Sequence, residues 1–301
     1  MDEQTDAPLW RYTTLKIGGN ATRLCQPSTV DELVKLMEKL RAADEPWFVL
    51  GGGSNLLVSS EGVKRTVIRT AALTSITNPE PSVIQADAGV RLPHLAKFAA
   101  SQGLSGLEFS VGIPGTVGGG VIMNAGAHGS CMSNVLEDVT VLDTKSGTIS
   151  TLKKDDLQFE YRKCNLDPSV HVILSARFRL LPENREEIEK QTKHNEDYRW
   201  KTQPLGWPNA GSTFKNPEPA RGAGYLLDQA GAKNMQEGAA AVSAVHANFI
   251  INMGGATSNE VVTLMRRMQE TVYGAFQVKL HPEWKTLGDF GVPGQEVWGV
   301  K

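Results

Sequence analysis

The chain has 301 residues, 40% of them hydrophobic, with 31 lysines and arginines against 33 aspartates and glutamates and a net charge of -2. That length can bury two or three packed domains, and a near-neutral balance without blocks of like charge suggests no nucleic-acid or membrane-surface role. Cys25, Cys131 and Cys164 stand far apart and form neither a CxxC nor an even disulfide set, as expected in a reducing cytoplasm.

The acidic start (Asp2, Glu3, Asp6) shows no secretory pattern, no apolar run reaches the ~20 residues of a membrane span, and the histidines show no metal-ligand spacing. The expectation is therefore a cytoplasmic protein without a metal. In chain order, Thr14-Leu15-Lys16-Ile17 reads as the start of a strand, turning at Gly18-Gly19. Ser28 and Asp31 form a capping pattern, behind which Val30, Leu33, Leu36, Met37 and Leu40 recur at helical spacing. Trp47 to Leu50 reads as a strand that runs into Gly51-Gly52-Gly53-Ser54-Asn55, with apolar chain resuming at Leu56-Leu57-Val58.

A strand followed by glycines and a small polar pair makes a nest of N–H donors suited to phosphate. It is not a P-loop, since no Gly-Lys-Ser/Thr follows, and it is not the dinucleotide fingerprint, since position 56 is Leu and a strand follows. A plain hairpin turn is the competing reading. Short strands at Val67-Ile68 and Val83-Ile84 are broken by Asn78-Pro79 and Pro81, and a helix is expected near 93–102, opened by Pro93 and closed by Gly103.

Then comes Gly112-Ile113-Pro114-Gly115-Thr116-Val117-Gly118-Gly119-Gly120-Val121-Ile122-Met123-Asn124-Ala125-Gly126-Ala127-His128-Gly129. It is too rich in glycine for an ordinary helix or strand. Such a run exposes backbone N–H groups and permits close approach, which suits a loop around a large anionic or planar ligand. The interleaved Ile113, Val117, Val121, Ile122 and Met123 argue against a polar linker.

A hairpin is expected over Val139–Leu142 and Thr148–Ser150, and a half-buried strand over Val172–Leu180. Residues 14–181 thus read as an α+β unit in two lobes with two helices. Pro182 marks a boundary, followed by a solvated charged helix over 183–198. Beyond it lie the loop Asn209 to Pro217, a short helix between Gly224 and Gly231, a strand over Asn248–Asn252, a Thr257/Glu260 capping box with an amphipathic helix, and a last strand at Val278-Lys279-Leu280 before His281-Pro282-Glu283. The methionines on that amphipathic helix read as core filling, and the tail from Gly288 carries no usable pattern.

Five motifs in order, Gly51–Asn55, Gly112–Gly129, Tyr161-Arg162, Gly211-Ser212-Thr213-Phe214-Lys215-Asn216-Pro217 and His281-Pro282-Glu283, give a chain that resembles the UDP-N-acetylenolpyruvoylglucosamine reductase family from about Thr14 to Asp289. The resemblance implies a two-lobed FAD-binding fold of the vanillyl-alcohol-oxidase type followed by an α+β substrate-binding domain, here at residues 1–70, 71–182 and 183–301. The short spacing between Arg162 and Ser212 looks like the shorter class of the family, without the inserted tyrosine-bearing loop. The implied reaction is NADPH-dependent, through non-covalent FAD, and converts the small-molecule substrate UDP-N-acetylglucosamine enolpyruvate to UDP-N-acetylmuramate for peptidoglycan. A cytoplasmic monomer without nucleic-acid or membrane partners is expected.

By the same resemblance, Gly51, Gly52, Gly53, Ser54, Asn55, Gly112, Ile113, Pro114, Gly115, Gly118, Gly119, Asn124, Ala125 and Gly126 hold FAD. Ser212 donates a proton to the carbanionic enol, for which a weak acid suffices. Arg162 grips the carboxylate. Glu283 works either as a neutral acid or through Arg162 or a water. Lys215, Asn216 and Lys201 suit the diphosphate, Tyr198 and Trp200 could stack a uracil, and Tyr161 packs near the flavin or orients Arg162. The chain departs from the family at Cys164, read as a small buried thiol, and at Thr213, which could tune the pocket. Rival readings are a sugar or alcohol oxidase of the same fold, with His128 or Cys131 tethering the flavin, and a non-catalytic flavin-binding protein.

Overall fold

The structure, a computed structural model, describes residues 1–217 and 221–291. The helices expected from the sequence start within two residues of their expected positions. The first helix is Val30–Ala42, and it buries Leu33, Leu36, Met37 and Leu40. Its cap is Thr29 rather than Ser28: the Thr29 hydroxyl accepts the Glu32 N–H, while the Glu32 carboxylate accepts the Ser28 N–H at 2.8 Å. The second runs from Leu92 to Ser101 with Pro93 in its first turn. The charged helix covers Arg185–Thr202, extending past residue 198, and buries only Ile188 and Asn195.

The chain divides into two compact units. One comprises residues 1–4, 23–52 and 65–198; the other comprises 5–22, 53–64 and the chain from 199 on. In the first, an antiparallel sheet places Ile149–Lys153, Leu136–Asp143, His171–Arg179, Val83–Asp87 and Ile76–Glu80 side by side. The expected break at Asn78-Pro79 is instead part of a strand, with a register shift between Thr77 and Glu80. Proline is tolerated because this is the edge strand, where a missing donor breaks no ladder. Trp47–Leu50 pairs in parallel with Val63–Arg69. Ile84, Leu95, Val117, Val139 and Phe178 share one core, and Leu33, Leu36, Ile68 and Leu174 a second.

In the second unit the helix Ser258–Phe276 starts on the expected capping box of Thr257 and Glu260, and its methionines Met265 and Met268 lie fully in the core. Ile250–Asn252 pairs with Ala240–Val242, the strand starting two residues later than expected. Leu56–Val58 runs parallel to Lys285–Leu287. Two expected strands do not form. Thr14 to Ile17 is irregular, because Lys16 turns left-handed at φ +57 while Leu15 and Ile17 anchor it as buried loop residues. Val278 to Leu280 is likewise irregular; after Gln277 closes the helix at φ +58, regular strand resumes only at Lys285.

Asn252, 4% exposed, ties the early loop to the later chain: its amide nitrogen donates to Leu15 and Lys16 carbonyls, and its amide oxygen accepts from Gly254 and Ala256. Asn252→Ala should leave these groups buried and unpaired and lower unfolding free energy by about 3 kcal/mol, read as a reduced urea midpoint; an unchanged midpoint would show that the clamp contributes nothing.

Candidate active site

In the first unit the two glycine loops meet backbone to backbone. A Cβ on Gly52 would lie 2.8 Å from the Gly115 Cα, and one on Gly51 would lie 2.5 Å from the Thr116 Oγ1, so only glycine fits at either place. Gly115 is left-handed, at φ +140. The Thr116 hydroxyl is buried yet has no partner among the described residues. A Cβ on Gly119 would face the same hydroxyl at 3.8 Å with nothing else nearby. The loops therefore meet over a buried hydroxyl, with open space on the Cβ side of Gly119, and form a glycine-lined cradle. That matches what a large cofactor needs, close backbone approach and one polar contact. Thr116 was not singled out from the sequence; a lone threonine within the glycines gave no separate signal.

The glycine stretch is not free of helix. Val117–Ile122 forms a short one, in which Gly118 packs against Ala88 and Gly120 against Met132 and Leu92 at Cβ distances of 3.1–3.2 Å. Glycine here serves helix packing as well as ligand approach. Farther on, Gly126–Ala127 and Ser130–Cys131 make a hairpin whose two-residue turn, His128 and Gly129, has φ of +52 and +78, as a type I′ turn demands. His128 sits there edge-on to Tyr198, 5.5 Å away.

Asn124 spends its side chain on structure. Its amide nitrogen donates to the Glu160 carbonyl and its amide oxygen accepts from the Ser133 N–H, both at 3.0 Å. This pins the tight turn Glu160–Lys163, whose tip is Tyr161-Arg162. Arg162, left-handed at φ +60, donates to the Gly126 carbonyl at 3.1 Å and lies 4.9 Å from the Tyr161 ring centroid. The turn bearing the proposed carboxylate grip is thus tied twice to the glycine stretch. Cys164 packs against the core, and burial pushes its thiol up, away from the reactive thiolate.

In the second unit Ser212 follows Gly211, left-handed at φ +74 with open space on its Cβ side. Thr213 to Lys215 then runs extended between two neighbours. On one edge Asn248 takes the Thr213 N–H on its carbonyl and clamps Phe214 with its side chain. On the other, the Glu283 N–H donates to the Thr213 carbonyl and the Lys215 N–H to the His281 carbonyl, each at 2.9 Å. Ser212, its chain neighbour, and Glu283, its hydrogen-bond partner, thereby flank one residue, Thr213. Asn55 holds the same segment: its amide donates to the Glu283 carbonyl at 3.2 Å, and its carbonyl accepts the Lys285 N–H at 3.0 Å. Asn216 caps the helix Ala223–Gln229 by accepting the Ala223 N–H. The Thr213 hydroxyl is buried and unpartnered among the described residues.

Two basic groups went unread in the sequence. Lys285 has its ammonium pushed down by burial of its surroundings and then by Lys215, so these two cations share a neighbourhood, although Lys285 retains solvent access. Arg199 has a buried Nε without a partner among the described residues, and burial lowers its guanidinium to about 10. Lys201, Tyr198 and Trp200 are exposed. No cluster of His, Cys, Asp or Glu suited to a metal occurs among the described residues, and none of their helices is long and apolar enough to cross a membrane.

Residues 21–153 match the FAD binding domain family and residues 203–287 match the C-terminal domain of UDP-N-acetylenolpyruvoylglucosamine reductase. Curated proteins of that name include one from Parasynechococcus marenigrum, 42% identical over 95% of this chain and 96% of its own length. Another, from Bacillus subtilis, is 41% identical over 93% of this chain and 92% of its own. The crystal structure of the reductase from Thermus caldophilus superposes with a TM-score of 0.81 at 37% identity, covering 95% of this chain and 98% of that one. The expected α+β flavin fold with a following substrate domain is borne out.

The cradle yields a discriminating test. Gly119→Leu projects into open space, so it should leave thermal stability nearly unchanged and empty the protein of flavin, read as the absorbance ratio of flavin to protein. Gly53→Leu should behave differently: Gly53 is left-handed at φ +59 and its Cβ would collide with the Tyr12 carbonyl, so unfolding should precede any flavin effect. Full flavin content in Gly119→Leu would place the cradle elsewhere.

Proposed function

The chain belongs to the UDP-N-acetylenolpyruvoylglucosamine reductase family, and we propose that it reduces the enolpyruvyl ether of UDP-N-acetylglucosamine to the lactyl ether, UDP-N-acetylmuramate, with NADPH as reductant. One observation supports the assignment to this chain's own residues: Ser212 and Glu283, far apart in sequence, flank the same residue, Thr213, in a segment hydrogen-bonded on both edges. The glycine cradle around Thr116 fits FAD, held by Gly51, Gly52, Gly112, Gly115, Gly118 and Gly119 through backbone approach. Bound there, FAD would supply the hydride-transfer chemistry that links NADPH to the β-carbon of the enolpyruvyl group.

The rest falls to side chains. As negative charge develops on the substrate's α-carbon and carboxylate, the Arg162 guanidinium binds the carboxylate in a planar, two-point grip and stabilises that charge. The Ser212 hydroxyl gives its proton to the α-carbon; serine is a weak acid, but an enolic carbanion is basic enough to take it. Glu283, whose N–H bonds the Thr213 carbonyl, sets the proton balance around Ser212 in this reading. Lys215, with Lys285 crowding it, and Asn216 receive the diphosphate, Arg199 adding a desolvated cation. The protein acts as a cytoplasmic monomer on a free nucleotide sugar and contributes to cell-wall synthesis.

Ser212→Ala should leave flavin reduction by NADPH almost unchanged and slow re-oxidation by the enolpyruvyl sugar about 10²–10⁴-fold, with Ser212→Cys recovering part of the rate. Stopped-flow flavin absorbance, one half-reaction at a time, reads this directly. Equal slowing of both halves would reduce Ser212 to a structural residue.

A further inference from the structure

Asn248 is 3% exposed and lies just before the strand Ile250–Asn252. Its carbonyl accepts the Thr213 N–H at 2.8 Å, its amide oxygen accepts the Phe214 N–H at 2.9 Å, and its amide nitrogen donates to the Phe214 carbonyl at 2.8 Å. A carboxamide so placed offers the donor and acceptor that a neighbouring strand would offer. With Glu283 and His281 bonded along the opposite edge, the peptides after Ser212 are fixed from both sides. Removing one edge frees the backbone that aims the Ser212 hydroxyl.

The Asn248 N–H is itself held, by the Nδ1 atom of His246 at 3.1 Å. An accepting Nδ1 carries no proton, so the hydrogen-bond network assigns a neutral imidazole protonated on Nε2. The ring stands edge-on to Phe249 at 5.0 Å and fills the space over Gly224, where a Cβ would lie 2.5 Å from Cε1. The charged groups facing it are Lys233 and Asp228, which pair with each other at 3.0 Å. Burial and then Lys233 hold the imidazole below its ordinary range, outweighing Asp228.

We propose that Asn248 is a positioning residue for proton delivery by Ser212, and that the neutral imidazole of His246 locks Asn248 in that pose. The proposal rests on the reading of Ser212 as proton donor. Protonating Nδ1 would turn the acceptor into a donor facing another donor and break the lock. The sign follows from linkage. The folded chain resists the proton that the unfolded chain takes at about pH 6.5, so the neutral ring's contribution is fully present above that pH. It is lost as the pH falls from there toward the lower folded value.

The test uses the FAD-loaded, full-length protein and the two half-reactions in stopped flow. Asn248→Leu should keep reduction by NADPH and slow re-oxidation by saturating enolpyruvyl sugar about 10²-fold, the loss typical of a misplaced reacting group, with half-saturation unchanged. His246→Asn supplies an amide oxygen in place of Nδ1 and cannot titrate, so it should recover most of the rate and abolish the fall in rate that sets in as the pH drops through the lowered folded pKa of His246. His246→Phe should be slow at every pH.

Ser212→Ala, run alongside, separates the failures. If it slows the sugar half while Asn248→Leu does not, the positioning role falls alone; if it leaves the sugar half intact, donor and positioning residue fall together. Should Asn248→Leu not fold, the His246 pair decides. A slow Phe variant rescued by Asn supports the proposal, and matching profiles for the two overturn it.

Discussion

The backbone of Thr213 is held from both sides, its N–H by the Asn248 carbonyl and its carbonyl by the N–H of Glu283. The proposed proton-delivering arrangement of the second unit depends on this one pair of bonds. It ties the residue after Ser212 to a glutamate near the end of the described chain, and it does so through main-chain groups. Everything nearby reinforces it. Asn55 holds the carbonyl of Glu283, the parallel strands Leu56–Val58 and Lys285–Leu287 carry that segment, and Trp284, 2% exposed, anchors it in the core.

The first unit solves a different problem by leaving side chains out. Gly51, Gly52 and Gly115 allow two loops to approach within backbone contact, and Thr116 supplies a buried hydroxyl where they meet. The same stretch then fixes Arg162, because Asn124 and the Gly126 carbonyl both bond to the Tyr161-Arg162 turn. A left-handed arginine is a costly backbone state. It persists here because the turn is closed by paired Glu160 and Lys163 and tied to the glycine loop.

Much of this was legible in the residues, and what was not has physical reasons. Helices with caps and periodic apolar faces, such as Ser258–Phe276, could be read because their signals are local. The glycine loops could be read as ligand loops because few other demands concentrate glycine so densely. Strands at Thr14–Ile17 and Val278–Leu280 were misread because buried apolar residues also anchor irregular chain, and alternation alone does not tell the two apart. The short helix inside the glycine stretch escaped because its glycines serve packing against Ala88, Leu92 and Met132, partners set by tertiary structure. Asn248, Lys285 and Arg199 escaped for a similar reason: their roles arise from neighbours distant in sequence.

Proton placement is the most direct measure of the account, since a protein-held donor attacks one face only. With the reaction run in deuterium oxide and the lactyl product analysed by NMR, the account predicts deuterium at the α-carbon in a single configuration. Product without α-deuterium, or with both configurations in equal amount, would contradict delivery from a fixed hydroxyl.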